Sequence, residues 1–312
     1  MPLLVLFFPG FLAAQGPPIY TQFFYNKLSY NSAFTGSVRG AEFTLNAREQ
    51  WLGLKGSPSI QSIQVNVPVN KIGIGGVLRR EALGLTEHYN MSISYAYHFP
   101  AGRYRIGLGV NALVGNYVND FSESRLITTR PIGLDPALSG TTEKATYFNA
   151  GIGFLLRGKD FYTGLSVPHL SPKHLPLNDD EKILSDQSFR FWHFMAGYSF
   201  FAGSETLIYP QMMISYSEYV PLNFDIHLLV DLGEQFIGGL GFRSFSTTGM
   251  TKAKSVSVLA GVMITENWLM TLSYDFGLTQ LSDHHNGSLE LGLLFYPGDR
   301  SISREYRSPR FF

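Results

Sequence analysis

Residues 89–114, YNMSISYAYHFPAGRYRIGLGVNALV, carry the pattern that recurs along the chain. Tyr89, Met91, Ile93, Tyr95 and Tyr97 alternate with Asn90, Ser92, Ser94 and Ala96, the period-two signature of a strand with one apolar face and one polar or small face. After a turn over residues 98–103, which contains Pro100 and Gly102, the residues Tyr104, Ile106, Leu108, Val110, Ala112 and Val114 alternate with Arg105, Gly107, Gly109, Asn111 and Leu113. This predicts an antiparallel partner strand. Each run is about nine to eleven residues, the length that a tilted strand needs to cross a bilayer. Tyrosines at the strand ends fall where an aromatic girdle meets lipid headgroups. The hairpin reads as one-seventh of an outer-membrane β-barrel.

The same alternation predicts strands over residues 42–48, 59–67, 72–80, 89–97, 104–116, 146–156, 161–167, 191–200, 207–216, 223–232, 235–245, 255–264, 268–276 and 288–296. Phe43, Leu45 and Ala47 face away from Glu42, Thr44, Asn46 and Arg48, and Ile63, Val65 and Val67 face away from Ser62, Gln64 and Asn66, giving a polar lumen and an apolar exterior. The expected fold is all-β: a transmembrane antiparallel barrel of about fourteen strands, an even number as in bacterial single-chain barrels. Connections alternate in length. Those at residues 68–71, 98–103, 157–160, 201–206, 233–234 and 265–267 are short, while those at 49–58, 117–145, 168–190, 246–254 and 277–287 are longer. In outer-membrane barrels the tight rim faces the periplasm, so both chain ends are expected there.

Composition agrees with a barrel. The 312 residues include 32 glycines, 25 phenylalanines and 17 tyrosines, with 15% charged residues. The balance of 24 basic and 24 acidic side chains leaves no net field for nucleic acid, and the absence of cysteine excludes disulfides and thiolate metal sites. Residues 3–12 form an apolar run too short for a membrane helix, followed by Ala13, Ala14 and Gln15, so residues 1–14 read as a signal peptide cleaved after Ala14. No other apolar stretch reaches the roughly 18 residues of a membrane helix.

Residues 15–40 form a separate N-terminal segment, aromatic but aperiodic. Ile19, Tyr20, Phe23, Phe24, Tyr25, Tyr30 and Phe34 need burial, yet without alternation they make poor lipid-facing strands. They are expected to pack in or on the lumen as a plug or docking strip, or as a structural cap. The barrel then occupies residues 41–296, and residues 297–312, PGDRSISREYRSPRFF, form a basic tail with Arg300, Arg304, Arg307 and Arg310 three to four apart. Forked guanidinium groups suit an acidic or peptidoglycan-linked periplasmic partner.

Several residues invite a chemical reading. His284 and His285 beside Asp283 suggest a metal, but no ligand set surrounds them and they read as a polar loop. Asp225 and His227 share an inward face, as does His193 on its own strand, which leaves a lumenal Ser/His/Asp hydrolase as a minor alternative. Inward Glu42, Arg48, Asp225, Asp275 and Glu290 read instead as the salt-bridged filling of a barrel. Gly73, Gly75, Gly76, Gly107 and Gly109 lie within strands with no following helix to receive phosphate, so they read as lumen-facing or curvature glycines. Asp179, Asp180, Glu181 and Asp186 read as a solvated loop, with a cation site as the alternative. No catalytic, cofactor or metal site is assigned.

Short blocks along the chain resemble the PorP/SprF family: residues 20–26 (YTQFFYN), 30–36 (YNSAFTG), 48–51 (REQW), 56–58 (GSP), 94–97 (SYAY) and 164–170 (GLSVPHL). Ser32 stands where the family often has proline, and His169 where asparagine is usual. The resemblance implies an outer-membrane barrel of Bacteroidota associated with type IX secretion and, in gliding members, with export of large surface adhesins. It implies a secretion accessory rather than an enzyme, with membrane lipid, periplasmic secretion components and secreted cargo as partners and no nucleic acid. Tyr20, Phe23, Phe24, Tyr25, Asn26, Arg48, Gln50, Trp51 and the four tail arginines are the candidate plug and partner residues. The alternative function is transport of small hydrophobic molecules by a barrel resembling the FadL type, with residues 19–34 as a movable hatch.

Overall fold

The computed structural model describes residues 19–122, 141–171, 175–176, 190–203, 205–218, 220–247 and 250–297. The expected leader, the acidic residues Asp179–Asp186 and the tail arginines Arg300, Arg304, Arg307 and Arg310 lie outside them.

The strands are β1 (Glu42–Glu49), β2 (Ser59–Val69), β3 (Ile72–Leu83), β4 (Thr86–Ala101), β5 (Tyr104–Asp120), β6 (Thr142–Arg157), β7 (Phe161–Val167), β8 (Leu175–Pro176), β9 (Trp192–Tyr198), β10 (Phe200–Ala202), β11 (Thr206–Tyr216), β12 (Leu222–Leu232), β13 (Phe236–Thr247), β14 (Met250–Thr265), β15 (Trp268–Gly277) and β16 (Ser288–Phe295). Neighbours pair antiparallel, β1 pairs with β16, and β11 pairs with both β9 and β10, so the sheet closes on itself. Short β8 lies off this path against β6, and β9 and β10 are two halves of one strand interrupted at Ser199, leaving fourteen strands around the barrel. Closure gives every strand of the barrel a neighbour on both sides, as lipid requires of a spanning sheet.

The alternation read from the sequence becomes an inside and an outside. On β1, Thr44, Asn46 and Arg48 are buried while Phe43 and Leu45 are exposed; on β4, Met91, Ile93, Tyr95 and Tyr97 point outward. Outward aromatics gather near both ends of the wall: Phe295 contacts both Phe43 and Trp268 at one end, and Tyr89, Trp192, Tyr216 and Phe276 stand exposed towards the other. No helix among the described residues is long and apolar enough to cross a membrane.

β1 begins and β16 ends at the rim of tight connections, hereafter the short rim. The opposite, long rim departs from expectation in one respect. β4, β6 and β14 have 16 residues each and β5 has 17, more than a bilayer needs. Backbone pairing continues past the apolar band because polar side chains join across it: Arg80 Nη2 donates to Glu87 Oε1 at 2.8 Å, and Thr86 Oγ1 to Asn119 Oδ1 at 2.8 Å. Residues 246–254 are likewise not a long connection: Ser246 pairs with Thr251 and Thr247 with Met250, so β13 and β14 stay paired to those residues.

Candidate functional site: a segment held inside the barrel

The aperiodic N-terminal segment fills the lumen. Tyr20, Phe23, Phe24, Tyr25, Tyr30 and Phe34 are all buried, as are the polar Thr21, Gln22, Asn26, Asn31 and Thr35. Two short 3-10 turns, Lys27–Ser29 and Ser32–Phe34, compact it, the second with Asn31 Oδ1 accepting from Ala33 N at 2.9 Å. Its direction is fixed by what it touches. Thr21 meets Arg48, Asp275 and Glu290, which sit near the long-rim ends of β1, β15 and β16, whereas Gly36 meets Gly73 at the short-rim start of β3. The chain therefore descends the lumen towards the short rim before entering β1.

An ionic cluster anchors the upper end. Arg48 Nη2 lies 2.6 Å from Asp275 Oδ2 and Nη1 lies 3.1 Å from Glu290 Oε2. Thr21 joins both acids, its Oγ1 accepting from Arg48 Nη1 at 2.7 Å and donating to Asp275 at 2.7 Å, and its N–H donating to Glu290 Oε2 at 2.6 Å. Gln22 N–H reaches Glu290 Oε1 at 3.2 Å, and Asn46 Nδ2 reaches the same oxygen at 2.9 Å. Glu290 is thus buried but ringed by donors, the condition under which a buried carboxylate is tolerated. Arg243 binds Asp225 and also donates Nη2 to Tyr20 O at 3.1 Å; the β13–β14 register shifts immediately after it, between Arg243 and Ser244. That bulge leaves both side chains inside the barrel.

Below this the contacts turn to amides and glycine. Gln22 accepts from Thr271 Oγ1 at 2.6 Å and donates to Ser273 Oγ at 3.1 Å; Gln64 Nε2 donates to Asn26 Oδ1 at 2.5 Å; Asn31 Nδ2 donates to Phe154 O at 3.1 Å. Near the short rim Gly36 N donates to Asn66 Oδ1 at 2.6 Å, and His98 Nε2 lies 2.7 Å from Thr35 O. Gly73 and Gly109 allow the segment's backbone to lie directly on the wall. A Cβ at Gly73 would stand 2.1 Å from Thr35 O, and one at Gly109 would stand 2.3 Å from Ala33 N. Lys27 Nζ lies 4.3 Å from the Tyr162 ring centroid, a cation held over an aromatic face.

The candidates read from sequence separate into two places. Tyr20, Phe23, Phe24, Tyr25, Asn26 and Arg48 meet inside the lumen, with Asp225, Asp275 and Glu290 as expected. Gln50 and Trp51 do not join them. Gln50 N closes the β1–β2 connection on Pro58 O at 2.9 Å, while Trp51 N donates to Ser288 Oγ at 3.2 Å and Leu52 N to Gly287 O at 2.8 Å, tying that connection to the one between β15 and β16. Alternation explains the split: Arg48 is the last inward residue of β1, and the residues after it have left the barrel wall.

The hydrolase alternative finds no triad. Asp225 is bound by Arg243, His227 packs against the rings of Phe23 and Phe24, and His193 Nδ1 lies 2.9 Å from Ser215 Oγ with the Tyr30 ring 5.2 Å away. His285 Nδ1 accepts from Gly287 N at 2.9 Å, and among the described residues no group of three or more His, Cys, Asp or Glu gathers to hold a metal.

Sequence reasoning placed Asn46 on the lumenal face but missed Thr21, Gln22, Thr271, Ser273 and Arg243. The three on strands were available from inward parity; Thr21 and Gln22 had no periodicity to reveal their role. It also missed a cluster under the long rim in which His88 stacks on Tyr117, 3.9 Å between centroids, and Tyr147 Oη lies 2.6 Å from His88 Nε2.

A closed antiparallel barrel with an apolar belt, aromatic ends and a polar, occupied interior defines an outer-membrane type of protein. The family described as type IX secretion system membrane protein PorP/SprF matches residues 12–295, and the chain belongs to that family. No curated protein matches the chain in sequence. Among solved structures it is similar to CymD, a monoaromatic hydrocarbon channel, with TM-score 0.53 and 9% identity over 89% of this chain and 92% of that one. It is also similar to the Ralstonia pickettii toluene transporter TbuX (TM-score 0.49, 11% identity, 85% of this chain and 91% of that one) and to a Pseudomonas aeruginosa FadL homologue (0.48, 10%, 85% and 92%). The likeness to CymD shows a shared fold alone. Fold and family together support an outer-membrane location and a place in secretion, and neither offers evidence of catalysis.

Proposed function

We propose that the protein is a filled, non-enzymatic barrel that assists export or surface attachment of secreted proteins, with its short rim facing the periplasm and its long rim facing the cell surface. The observation that carries this reading is the lumenal segment: residues 20–35 occupy the space that a conduit would need, and they do so through hydrogen bonds to a buried ionic cluster and backbone contacts rather than loose packing. A plug held this way turns the barrel into a rigid platform for partners on its two rims. Family membership supports secretion machinery on one side and exported protein on the other.

Transport of small hydrophobic molecules fits the lumen less well. The lumenal cavity beside Tyr30, Asn111 and His193 is about 40 Å³, whereas ligand pockets typically run to about 300–1,000 Å³; an apolar hollow of about 780 Å³ among Leu45, Ile63, Leu78, Met91 and Leu291 lies on the outward face of the wall. The experiment is deletion of the gene followed by proteomics of medium and cell surface. The expected result is an intact outer membrane that lacks one or more secreted or surface-attached proteins. An unchanged secreted proteome with lost uptake of a hydrophobic compound overturns the secretion reading in favour of transport.

A further inference from the structure

The short rim carries an unusual pairing. Arg105 on β5 stands directly opposite Arg157 on β6 in the antiparallel ladder. Both lie on the lumenal face, in phase with buried Gly107 and Leu155. Like charges directly opposite one another across a sheet are destabilising. Among the described residues neither meets a carboxylate: Arg157 Nη1 donates to the Ser37 carbonyl, and Arg105 has no hydrogen-bonded or ionic partner. Arg39, in the linker ahead of β1, adds a third guanidinium close enough to act on Arg157. Glu42, the lumen-facing acid at the start of β1, acts instead on Lys27.

The connections around this corner have the same sign. Lys71 lies between β2 and β3, Arg103 between β4 and β5, and Lys159 between β6 and β7, all exposed, with Asp160 beside Lys159. Across the mouth the exposed charges reverse: Glu205, Glu234 and Glu266 occupy the connections before β11, β13 and β15. The rim is therefore divided into a basic arc and an acidic arc.

We propose that the basic arc, with Arg105 and Arg157 at its lumenal edge, is the docking site for an acidic peptide segment of a partner protein on the short-rim side. Forked guanidinium groups match carboxylates bidentately, and two of them held side by side with no carboxylate of the described residues paired to them suit one from a partner. The two arginines point into the mouth and away from the lipid belt, which favours a peptide over an anionic lipid headgroup. The division of the rim sets the orientation of the partner, since a second acidic stretch would be repelled by the opposite arc. The proposal holds whichever compartment the short rim faces, so its failure leaves the secretion reading standing.

The test uses the full chain in nanodiscs of zwitterionic lipid, with a fluorescein-labelled hexaglutamate peptide as probe, hexalysine as control and inorganic phosphate as competitor at constant ionic strength. Saturable binding is expected, falling with added salt. It should weaken about tenfold or more in R105Q/R157Q, remain unchanged in E234Q, and resist displacement by phosphate. Without peptide, Arg105→Gln should raise the unfolding midpoint, because it relieves the opposed charges. Equal binding by the double variant, displacement by phosphate alone, or a lowered midpoint in Arg105→Gln overturns the proposal. So does self-association lost in both R105Q and E234Q, which would assign the arc to a second copy of the chain.

Discussion

Arg48 joins the wall to the lumenal segment, and its removal is the most informative single change. It contacts Asp275, Glu290 and Thr21 within one buried cluster, so Arg48→Ala leaves Glu290 without its cation and Asp275 with only the longer approach of Arg243 at 3.9 Å. Breaking a buried pair from one side costs about 3–5 kcal/mol. The expected outcome is a lower temperature for loss of the compact, heat-modifiable form on gels. Combining Arg48→Met with Asp275→Asn and Glu290→Gln should restore most of that loss, because no buried charge is then left unpaired. Gly109 tests the opposite fault. Gly109→Val places a side chain where Ala33 N lies 2.3 Å from the Cβ position, so either the wall or the segment must shift, at about 1–3 kcal/mol. Protease sensitivity of residues 31–36 in the folded barrel should rise, and an unchanged digestion pattern would argue against close backbone contact at that point.

At the scale of elements, the strands and the need to bury the N-terminal segment were legible, while the path of that segment through the lumen was not. β4 and β5 could be read from Tyr89 to Val114 because lipid on one side and a polar interior on the other impose strict alternation. Strand ends were less visible. Beyond the lipid belt the outward face is no longer required to be apolar, so the continuation of β5 to Asp120 and of β13 and β14 to Thr247 and Met250 left no mark in hydropathy. The segment from Tyr20 to Thr35 announced that it needed burial through its aromatics, but its path depends on partners more than two hundred residues away, such as Glu290 and Asp275. Inward glycines on β3 and β5 were legible as glycines of a lumen wall, while the backbone they accommodate was not. Arg48 was legible as an inward charge, and neighbouring Trp51 was grouped with it only because a local sequence block does not show where a strand stops.

For the whole molecule, orientation and occupancy of the barrel decide what it can do. Lys159 on the short rim and Lys55 on the long rim are both exposed, so each replaced by cysteine gives a direct reading of topology. In intact cells a membrane-impermeant maleimide should label Lys55→Cys, and Lys159→Cys only after the outer membrane is opened; the reverse order would invert the barrel. Occupancy is the more central claim, because a platform for secretion partners and a conduit for small molecules differ in whether the lumen is closed. The most direct measurement is single-channel conductance in planar bilayers of the full chain beside a variant lacking residues 20–36, with both confirmed as heat-modifiable barrels. The full chain should remain closed and the deletion should open steady, ion-conducting pores. A full chain that conducts as freely as the deletion variant would contradict the filled barrel.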